Sequence, residues 1–233
     1  MQGLLRVLAC AGIVWATCAM NCFGDVIAGP GFVPELSGGG FFVGTYTLAS
    51  GTSVNYSVAQ LVPAFYSYSD LILQVQLSWV GTIDFALAPD GNDGSPGSPI
   101  ATTSITLTPV DANLATYSLP LNATLQAGTW YWLIASSPEV QSLTGNNPTL
   151  LPSWQLSPGV DYPIAYSYDG GPWMFTSNES FAYELDGQVD GSTYLIPTPT
   201  PAPRVAPEPR VVFPLLGILL MIGYVGTRLR GSS

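Results

Sequence analysis

A strict alternation of apolar and polar side chains is the sequence feature that most limits the possible folds. Every second residue from Leu73 to Trp79 is large and apolar, and the residues between them are Gln or Ser. Successive side chains of a β-strand point to opposite faces, so this pattern predicts a strand with one buried face. Residues 83–87 continue the alternation beyond Gly81, and the two runs together predict a β-hairpin.

Further strand candidates occur along the chain, separated by turn clusters rich in Gly, Asn and Asp. Between Gly38 and Tyr194 no helical period is apparent. Residues 130–134 are apolar on both faces, so we expect a central strand that is covered on both sides. The pattern predicts one all-β ectodomain over residues 25–195, an antiparallel, jelly-roll-like β-sandwich. The further candidates are residues 41–48, 103–107, 116–121, 129–135, 163–168 and 181–185.

Residues 1–24 have the pattern of a secretory signal peptide. Arg6 is followed by an apolar stretch that is too short and too early for a stable membrane span. We expect signal peptidase to cut between Gly24 and Asp25, which leaves a mature chain without cysteine. Cleavage after Ala19 is the alternative that also fits the small-residue rule. Both cleavage positions predict export.

The C-terminal region combines a proline-rich linker with an apolar segment. Residues 196–206 are rich in proline and are expected to be extended and semi-rigid. Residues 211–227 carry no charge, and as a helix they would measure about 25 Å, slightly less than the hydrocarbon core of a bilayer. Arginines flank the segment and can snorkel to the interface at both ends. The pattern predicts one transmembrane helix with a cytoplasmic C-terminus.

The last part of the chain contains a short motif in a defined order. Pro207, Glu208 and Pro209 precede the apolar span, and Arg228 and Arg230 follow it. This arrangement over residues 207–233 resembles the PEP-CTERM sorting signal. The resemblance implies recognition by an exosortase, a membrane-embedded cysteine protease of bacteria that make exopolysaccharide. It also implies membrane anchoring through the helix, followed by release to the cell surface or extracellular matrix. A plain anchor that is never cut is the alternative.

The body carries a second set of motifs in a consistent order. The motifs are Ser95-Pro96-Gly97, the segment from Leu125 to Leu133, Trp154, the segment from Asp169 to Trp173, and Asp186-Gly187. With these motifs the body resembles the choice-of-anchor R type of domain, a module of exported bacterial proteins that are attached by differing C-terminal signals. The resemblance implies export and attachment, and it brings no catalytic residues with it.

Charge and residue usage exclude several functional classes. Residues 25–203 contain fourteen carboxylates and no Lys, Arg or His, so nucleophile–base triads and phosphate-binding lysines are absent. The net charge of −14 argues against nucleic acid as a partner. We therefore expect no enzymatic activity. The remaining catalytic option is a glycoside-acting carboxylate pair, for which Glu184 and Asp186 on one strand face are the candidates.

One acidic loop has the composition of a calcium site. Asp90, Asn92 and Asp93 offer three oxygen ligands of the kind that Ca²⁺ prefers. The alternating ligand positions and the distal Glu of an EF-hand are absent, and Asp, Asn and Gly are equally typical of a hairpin turn. Calcium is thus a possible ligand here, and no other cofactor is expected.

Four tryptophans of the body divide into two pairs. Trp154 and Trp173 lie beside loops and are the candidates for contact with carbohydrate, whereas Trp130 and Trp132 are expected in the core. The sequence as a whole predicts a non-enzymatic surface or extracellular-matrix protein associated with exopolysaccharide. A carbohydrate-binding β-sandwich module is the alternative.

Overall fold

The structure is a computed structural model that describes residues 25–32, 40–47, 50–78, 80–91, 93–108, 114–142, 151–157, 162–176 and 180–198. These residues contain fifteen β-strands and no helix. The strands are β1 (Asp25–Ala28), β2 (Gly40–Phe42), β3 (Gly44–Thr47), β4 (Ser53–Ala64), β5 (Tyr68–Ser78), β6 (Gly81–Pro89), β7 (Ala101–Leu107), β8 (Ala115–Leu121), β9 (Thr129–Ser136), β10 (Val140–Ser142), β11 (Ser153–Ser157), β12 (Ile164–Tyr168), β13 (Met174–Thr176), β14 (Ser180–Phe181) and β15 (Tyr183–Val189).

The strands form two sheets. A seven-stranded sheet follows the order β1-β15-β5-β11-β14, with β2 paired to β11 and β8 paired to β5. An eight-stranded sheet follows the order β10-β3-β4-β9-β6-β7, with β12 paired to β4 and β13 paired to β12. Every pairing is antiparallel except that of β10 with β3. The predicted all-β, sandwich-like architecture is confirmed for this part of the chain.

The predicted hairpin between the two alternating runs is wrong. β5 lies in the seven-stranded sheet, whereas β6 lies in the eight-stranded sheet between β7 and β9. Gly81 begins β6 with φ 122°, and a Cβ atom there would lie 2.9 Å from the Glu139 side chain. The chain crosses between sheets at this point because each run has one apolar face, and the two faces are buried by packing into a common core.

An aromatic group dominates the core between the sheets. Trp154 is fully buried and stacks on Phe181 with ring centroids 4.2 Å apart. Phe85 meets the same indole edge-to-face at 5.2 Å. Trp154 and Phe181 belong to strands of the seven-stranded sheet and Phe85 to the eight-stranded sheet, so these rings join the two layers. The inward apolar residues of β5 and β6 belong to the same cluster.

One buried amide also links the layers. Gln60 occupies an inward position of β4 and is fully buried. Its Nε2 donates to the Tyr162 carbonyl at 2.8 Å, and its Oε1 accepts the Phe181 backbone N–H at 3.0 Å. A buried amide is tolerated when its donor and acceptor groups are both used. Gln60 therefore fixes β14 against β4 by hydrogen bonds rather than by apolar packing.

The central position of β9 is confirmed. It pairs with β4 on one edge and with β6 on the other. Tyr131 and Leu133 point into the core, whereas Trp132 points to the outer face of the sheet. Trp132 is only 1% exposed, so it is buried as predicted, although in a separate outer cluster. Trp130 shares the outer face and is half-buried, so the prediction that it lies in the core is wrong: its position in β9 has the parity of the outer face.

A tight turn follows β12 in the β12–β13 hairpin. Asp169 and Gly170 have φ of 53° and 67°, and the Gly171 N–H donates to the Tyr168 carbonyl at 2.8 Å. Two successive positive φ values are typical of a type I′ turn, which favours Asp-Gly. The Asp169 carboxylate accepts the Asn55 backbone N–H at 2.6 Å and so ties the turn to β4. The predicted turn at residues 169–171 is confirmed.

The segment after β15 lies along the body as far as residue 198. The Leu195 N–H donates to the Phe65 carbonyl at 2.9 Å, and the Trp130 indole N–H donates to the Thr198 carbonyl at 3.0 Å. Tyr194 stacks on Phe65 with ring centroids 5.7 Å apart. The first three residues of the predicted 196–206 linker are therefore close to the body, and the remaining linker residues lie outside the described part of the chain.

Replacing the central tryptophan tests the core assignment. We expect Trp154→Ala to lower the free energy of unfolding by about 3–5 kcal/mol, because it removes a large ring from a closely packed site. Urea denaturation followed by circular dichroism measures the change. Ile72→Ala is the control, since Ile72 is 44% exposed on the outside of the seven-stranded sheet and its loss should cost less than about 1 kcal/mol. Equal denaturation midpoints for the two variants would contradict the central role of Trp154.

Candidate functional site

A row of apolar residues crosses the outer face of the eight-stranded sheet. Strand register places Phe175 opposite Ala165, Ala165 opposite Ala59, Ala59 opposite Ile134, and Ile134 opposite Ala86. Outer faces of two-layer β proteins are usually polar, because only the inner faces are buried. This row is therefore an unusual feature of the surface.

Aromatic rings cover the small residues of this row. Trp132 packs with the fully buried Ala59 and Ala165, and its ring centroid is 5.8 Å from that of Phe175. Its indole N–H donates to Oδ1 of Asp90 at 2.8 Å, which fixes the ring orientation. Alanines beneath the rings leave room for bulky neighbours. The cluster is therefore a small second core built on the outside of the sheet.

We call this surface the aromatic face. Its partly exposed members are Leu61, Ile134, Trp173 and Phe175, which pack around Trp132 and the two alanines. The β12–β13 turn holds Trp173 and Phe175 in place, and β4 and β9 supply Leu61 and Ile134. Because these residues stand on paired strands or directly beside a tight turn, the aromatic face is preformed.

A ring pair lies further along β9. Trp130 meets Tyr162 edge-to-face with centroids 5.3 Å apart. Trp130 precedes Trp132 by two residues, so both side chains project from the same face of the strand. Half-buried aromatic surface thus extends from the β12–β13 turn toward residues 194–198, which follow β15.

Other parts of the outer surfaces are polar. On β6 and β7, the Asp84 carboxylate accepts the Ser104 hydroxyl at 2.5 Å. On the seven-stranded sheet, Gln74 Nε2 donates to Asp186 at 2.6 Å. The aromatic face is therefore a local feature of β4, β9, β12 and β13, and not a general property of the outer surfaces.

Trp154 is removed from the candidate carbohydrate contacts. It is 0% exposed, and its indole N–H donates to the Ala182 carbonyl at 3.2 Å inside the protein. The sequence Ser153-Trp154-Gln155-Leu156 is itself a short period-two run, and it forms β11. That alternation is the signal by which the burial of Trp154 could have been predicted. Trp173, in contrast, is half-buried on the aromatic face.

The acidic loop is a turn stabilised by its own hydrogen bonds. Oδ1 of Asp93 accepts the Ser95 hydroxyl at 2.6 Å and the Ser95 backbone N–H at 3.1 Å. The hydroxyl bond is the main reason why the pKa of the Asp93 carboxyl is lowered. Asp90 accepts the Trp132 indole, and Asn92 lies outside the described residues. Calcium binding stays a prediction, and within the described ranges no group of three His, Cys, Asp or Glu is arranged to hold a metal.

Glu184 and Asp186 lie on the outer face of the seven-stranded sheet. Register places Glu184 opposite Gln74 and Asp186 opposite Ile72, so the two carboxylates share a face as the sequence predicts. Asp186 accepts a hydrogen bond from Gln74. Their side chains project away from the core. A catalytic role for this pair stays untested.

A shallow groove lies between the start of β5 and the residues after β8. Its volume is about 600 Å³, and residues 69–72 and 120–124 line it. Asp70 is its single charged residue and has φ 49°. No aromatic side chain lines the groove. Aromatic side chains thus line the aromatic face and not the groove, so the aromatic face is the stronger candidate for a binding site.

Tyrosines gather at one end of the core. Tyr56 contacts Tyr168 and Tyr166 with ring centroids 5.0 and 6.2 Å away, and Phe41 stacks on its other side at 6.1 Å. Burial is the main cause that raises the pKa of Tyr56 above its ordinary value, and the neighbouring tyrosines add to the shift. Burial also raises the pKa of Tyr46 and of Tyr168.

Several predicted functional residues lie outside the described part of the chain. They are Gly24 of the signal-peptide cleavage site and the sorting-signal residues Pro207, Glu208, Pro209, Arg228 and Arg230. Asp25 is the first residue of β1 and pairs with Gly187. The candidate span 211–227 is also outside, and the strands and loops that the structure describes include no helix with the length and hydropathy of a membrane span.

No protein-family model matches the chain, and no curated protein matches it.

Alkaline pH should destabilise the protein through half-buried tyrosines such as Tyr56. An unfolded tyrosine has a pKa of about 10, and burial raises the pKa of Tyr56 in the folded state. The stabilisation that follows is present below about pH 10 and is lost as pH rises, because only the unfolded state then releases the proton readily. We expect the free energy of unfolding to fall above this pH, and to fall less steeply in Tyr56→Phe.

Urea denaturation between pH 8 and pH 11.5 measures this dependence. Tyr194→Phe is the control for the loss of a tyrosine hydroxyl, because the Tyr194 ring is 52% exposed. Lysine and histidine are absent from the chain, and cysteine is absent after residue 22, so tyrosine dominates titration in this range. Superimposable curves for the wild type and Tyr56→Phe would exclude Tyr56 as a source of the effect.

Proposed function

We propose that this chain is an exported, non-enzymatic protein of the cell surface or extracellular matrix. Residues 1–24 act as a signal peptide, and residues 207–233 act as a PEP-CTERM-like sorting signal that contains a transmembrane helix at 211–227. The single observation that carries the proposal is the order of the C-terminal features: the Pro207–Pro209 triplet, the uncharged span, and Arg228 with Arg230. Each of these three parts alone is a weak signal, and their fixed order gives the proposal its strength.

The proposed partners follow from this tail. Signal peptidase removes the N-terminal segment, and an exosortase-type protease recognises the C-terminal one. The helix holds the protein in the membrane before processing, and the ectodomain is afterwards at the surface or in the matrix. The ectodomain in this proposal is a jelly-roll-like sandwich, and its motifs resemble the choice-of-anchor R type of domain.

The composition of the body supports a place in a polymer matrix. Residues 25–203 have a net charge of −14, which keeps such a chain soluble and self-repelling. Divalent cations can bridge carboxylates of this surface to anionic polymers. Direct adhesion to an anionic polymer would otherwise require basic side chains, which these residues lack.

A carbohydrate-binding module is the second candidate function. The observation that favours it is the aromatic face, where Trp173 and Phe175 are partly exposed around the buried Trp132. Apolar surface of this kind on an exported protein is typical of a binding site. The two candidate functions are compatible, because a sorted surface protein can also bind polysaccharide.

Intact-mass analysis of the exported protein tests the proposed sorting. We expect the wild-type product to lack residues 1–24 and the tail beyond the triplet. The triple variant Pro207→Ala/Glu208→Ala/Pro209→Ala should keep the tail and stay in the membrane fraction, because the protease no longer recognises it. Pro201→Ala/Pro203→Ala, in the linker, is the matched control and should be processed normally. A full-length wild-type chain recovered from the cytosol would overturn the proposal.

A further inference from the structure

We infer that the aromatic face binds an uncharged polysaccharide chain. The inference rests on the second candidate function and names its site and its ligand class. Leu61, Ile134, Trp173 and Phe175 are the residues that would contact the sugar rings, with Trp132 beneath them.

The aromatic face lies on the outside of the eight-stranded sheet. Leu61, Ile134, Trp173 and Phe175 belong to a cluster separate from the core, and they pack on the side of the sheet that faces away from the second sheet. They do not contribute to the packing between the two layers. The main core is complete without them, so stability of the sandwich does not explain a row of bulky apolar residues here.

The partly exposed groups of the aromatic face are aromatic and aliphatic. The faces of aromatic rings carry negative electrostatic potential. One face of a pyranose ring presents C–H groups, which are apolar and slightly positive, whereas its hydroxyls lie at the edge. Trp173 and Phe175 offer ring surface to such C–H groups, and Ile134 and Leu61 extend the apolar area. Asp90 accepts the indole N–H of Trp132 and so holds this ring beneath the exposed groups.

The negative charge of the body distinguishes uncharged from anionic polysaccharides as ligands. The fourteen carboxylates of residues 25–203 have no basic side chain among them. A chain that bears uronate, sulfate or phosphate groups would meet like charge with no cation to pair with it. The same argument excludes nucleic acid, although its bases can stack on aromatic rings. An uncharged polysaccharide meets no such repulsion.

The aromatic face is elongated across the strands of the sheet. Phe175 and Ile134 are separated by three strand spacings, about 14 Å, through Ala165 and Ala59. This length accommodates a few sugar units in a row. Trp132 is held from below by the alanines and laterally by Asp90, so the platform requires no ordering on binding. Preorganisation of this kind favours affinity for an extended, repetitive ligand.

Binding to polysaccharides of known structure tests the inference. The full chain is purified in a detergent without a sugar headgroup. It is then titrated by calorimetry and by affinity electrophoresis with four uncharged polymers: hydroxyethyl cellulose, laminarin, dextran and galactomannan. Alginate and polygalacturonate, without added Ca²⁺, form the anionic arm. We expect binding to at least one uncharged polymer and none to the anionic ones.

Variants of the face locate the site. We expect Trp173→Ala to weaken binding by roughly tenfold or more, as for an aromatic anchor, and Trp173→Phe to retain most of it because a ring remains. Ile72→Ala removes an exposed apolar side chain from the outside of the seven-stranded sheet, which is not the sheet that carries the aromatic face, and should change affinity by less than about twofold. Near-ultraviolet circular dichroism and urea midpoints confirm that each variant is folded.

Three results would overturn the inference. They are failure to bind every uncharged polymer, equal affinity of the wild type and Trp173→Ala, and stronger binding to alginate than to the uncharged polymers. A dimer that sedimentation detects and that Trp173→Ala dissociates would assign the face to a second copy of the chain instead. None of these results affects the sorting experiment, which reads only the termini of the exported protein, so the two proposals fail independently.

Discussion

Packing of the apolar inner faces of the two sheets is the interaction on which this structure depends. Residues 25–203 contain no cysteine and no basic side chain, so neither a disulfide nor a salt bridge between side chains can hold them together. Stability must come from apolar burial and from hydrogen bonds between neutral groups or to carboxylates. Trp154 stacks on Phe181 within the seven-stranded sheet and meets Phe85 of the eight-stranded sheet, so these rings join the two layers. Gln60 adds a polar link between the same layers by using both ends of its amide.

The same constraint shapes the way in which the carboxylates are satisfied. Asp186 accepts from an amide, Asp84 from a hydroxyl, and Asp90 from an indole. Glu139 accepts the Thr82 backbone N–H at 2.9 Å, close to the crossing at Gly81. Each of these bonds positions a turn or a strand partner without the orientational freedom of an exposed ion pair. Acidic residues therefore act in this protein as acceptors that fix local geometry, and their uncompensated charge remains available to repel anionic partners.

Local pattern predicted the strands of this fold better than it predicted their partners. Alternation identified β5 and β6 because burial of one face leaves a period of two in the sequence. The same alternation does not indicate which sheet a strand joins, because the inward residues of both sheets are equally apolar. The predicted hairpin at Gly81 was wrong for this reason. Trp154 shows a related limit. Its neighbourhood of loops suggested exposure, whereas its contacts with Phe85 and Phe181 come from distant parts of the chain. In contrast, the apolar run 130–134 revealed its central place because both faces of β9 are covered.

The two faces of β9 are covered by different means, and this difference separates stability from function. Leu133 on the inner face meets residues of both sheets in the main core, an arrangement that any sandwich requires. Trp132 on the outer face packs with residues of its own sheet and with Trp173 of the segment leading into β13, and its indole donates to the Asp90 carboxylate. A sheet that needed no partner could have placed polar residues there, as β6 and β7 do with Asp84 and Ser104. An apolar outer surface in a solvent-exposed layer costs free energy, and a ligand that covers it offsets this cost. The ligand that we propose is an uncharged polymer, because a body with fourteen carboxylates and no basic side chain repels an anionic one.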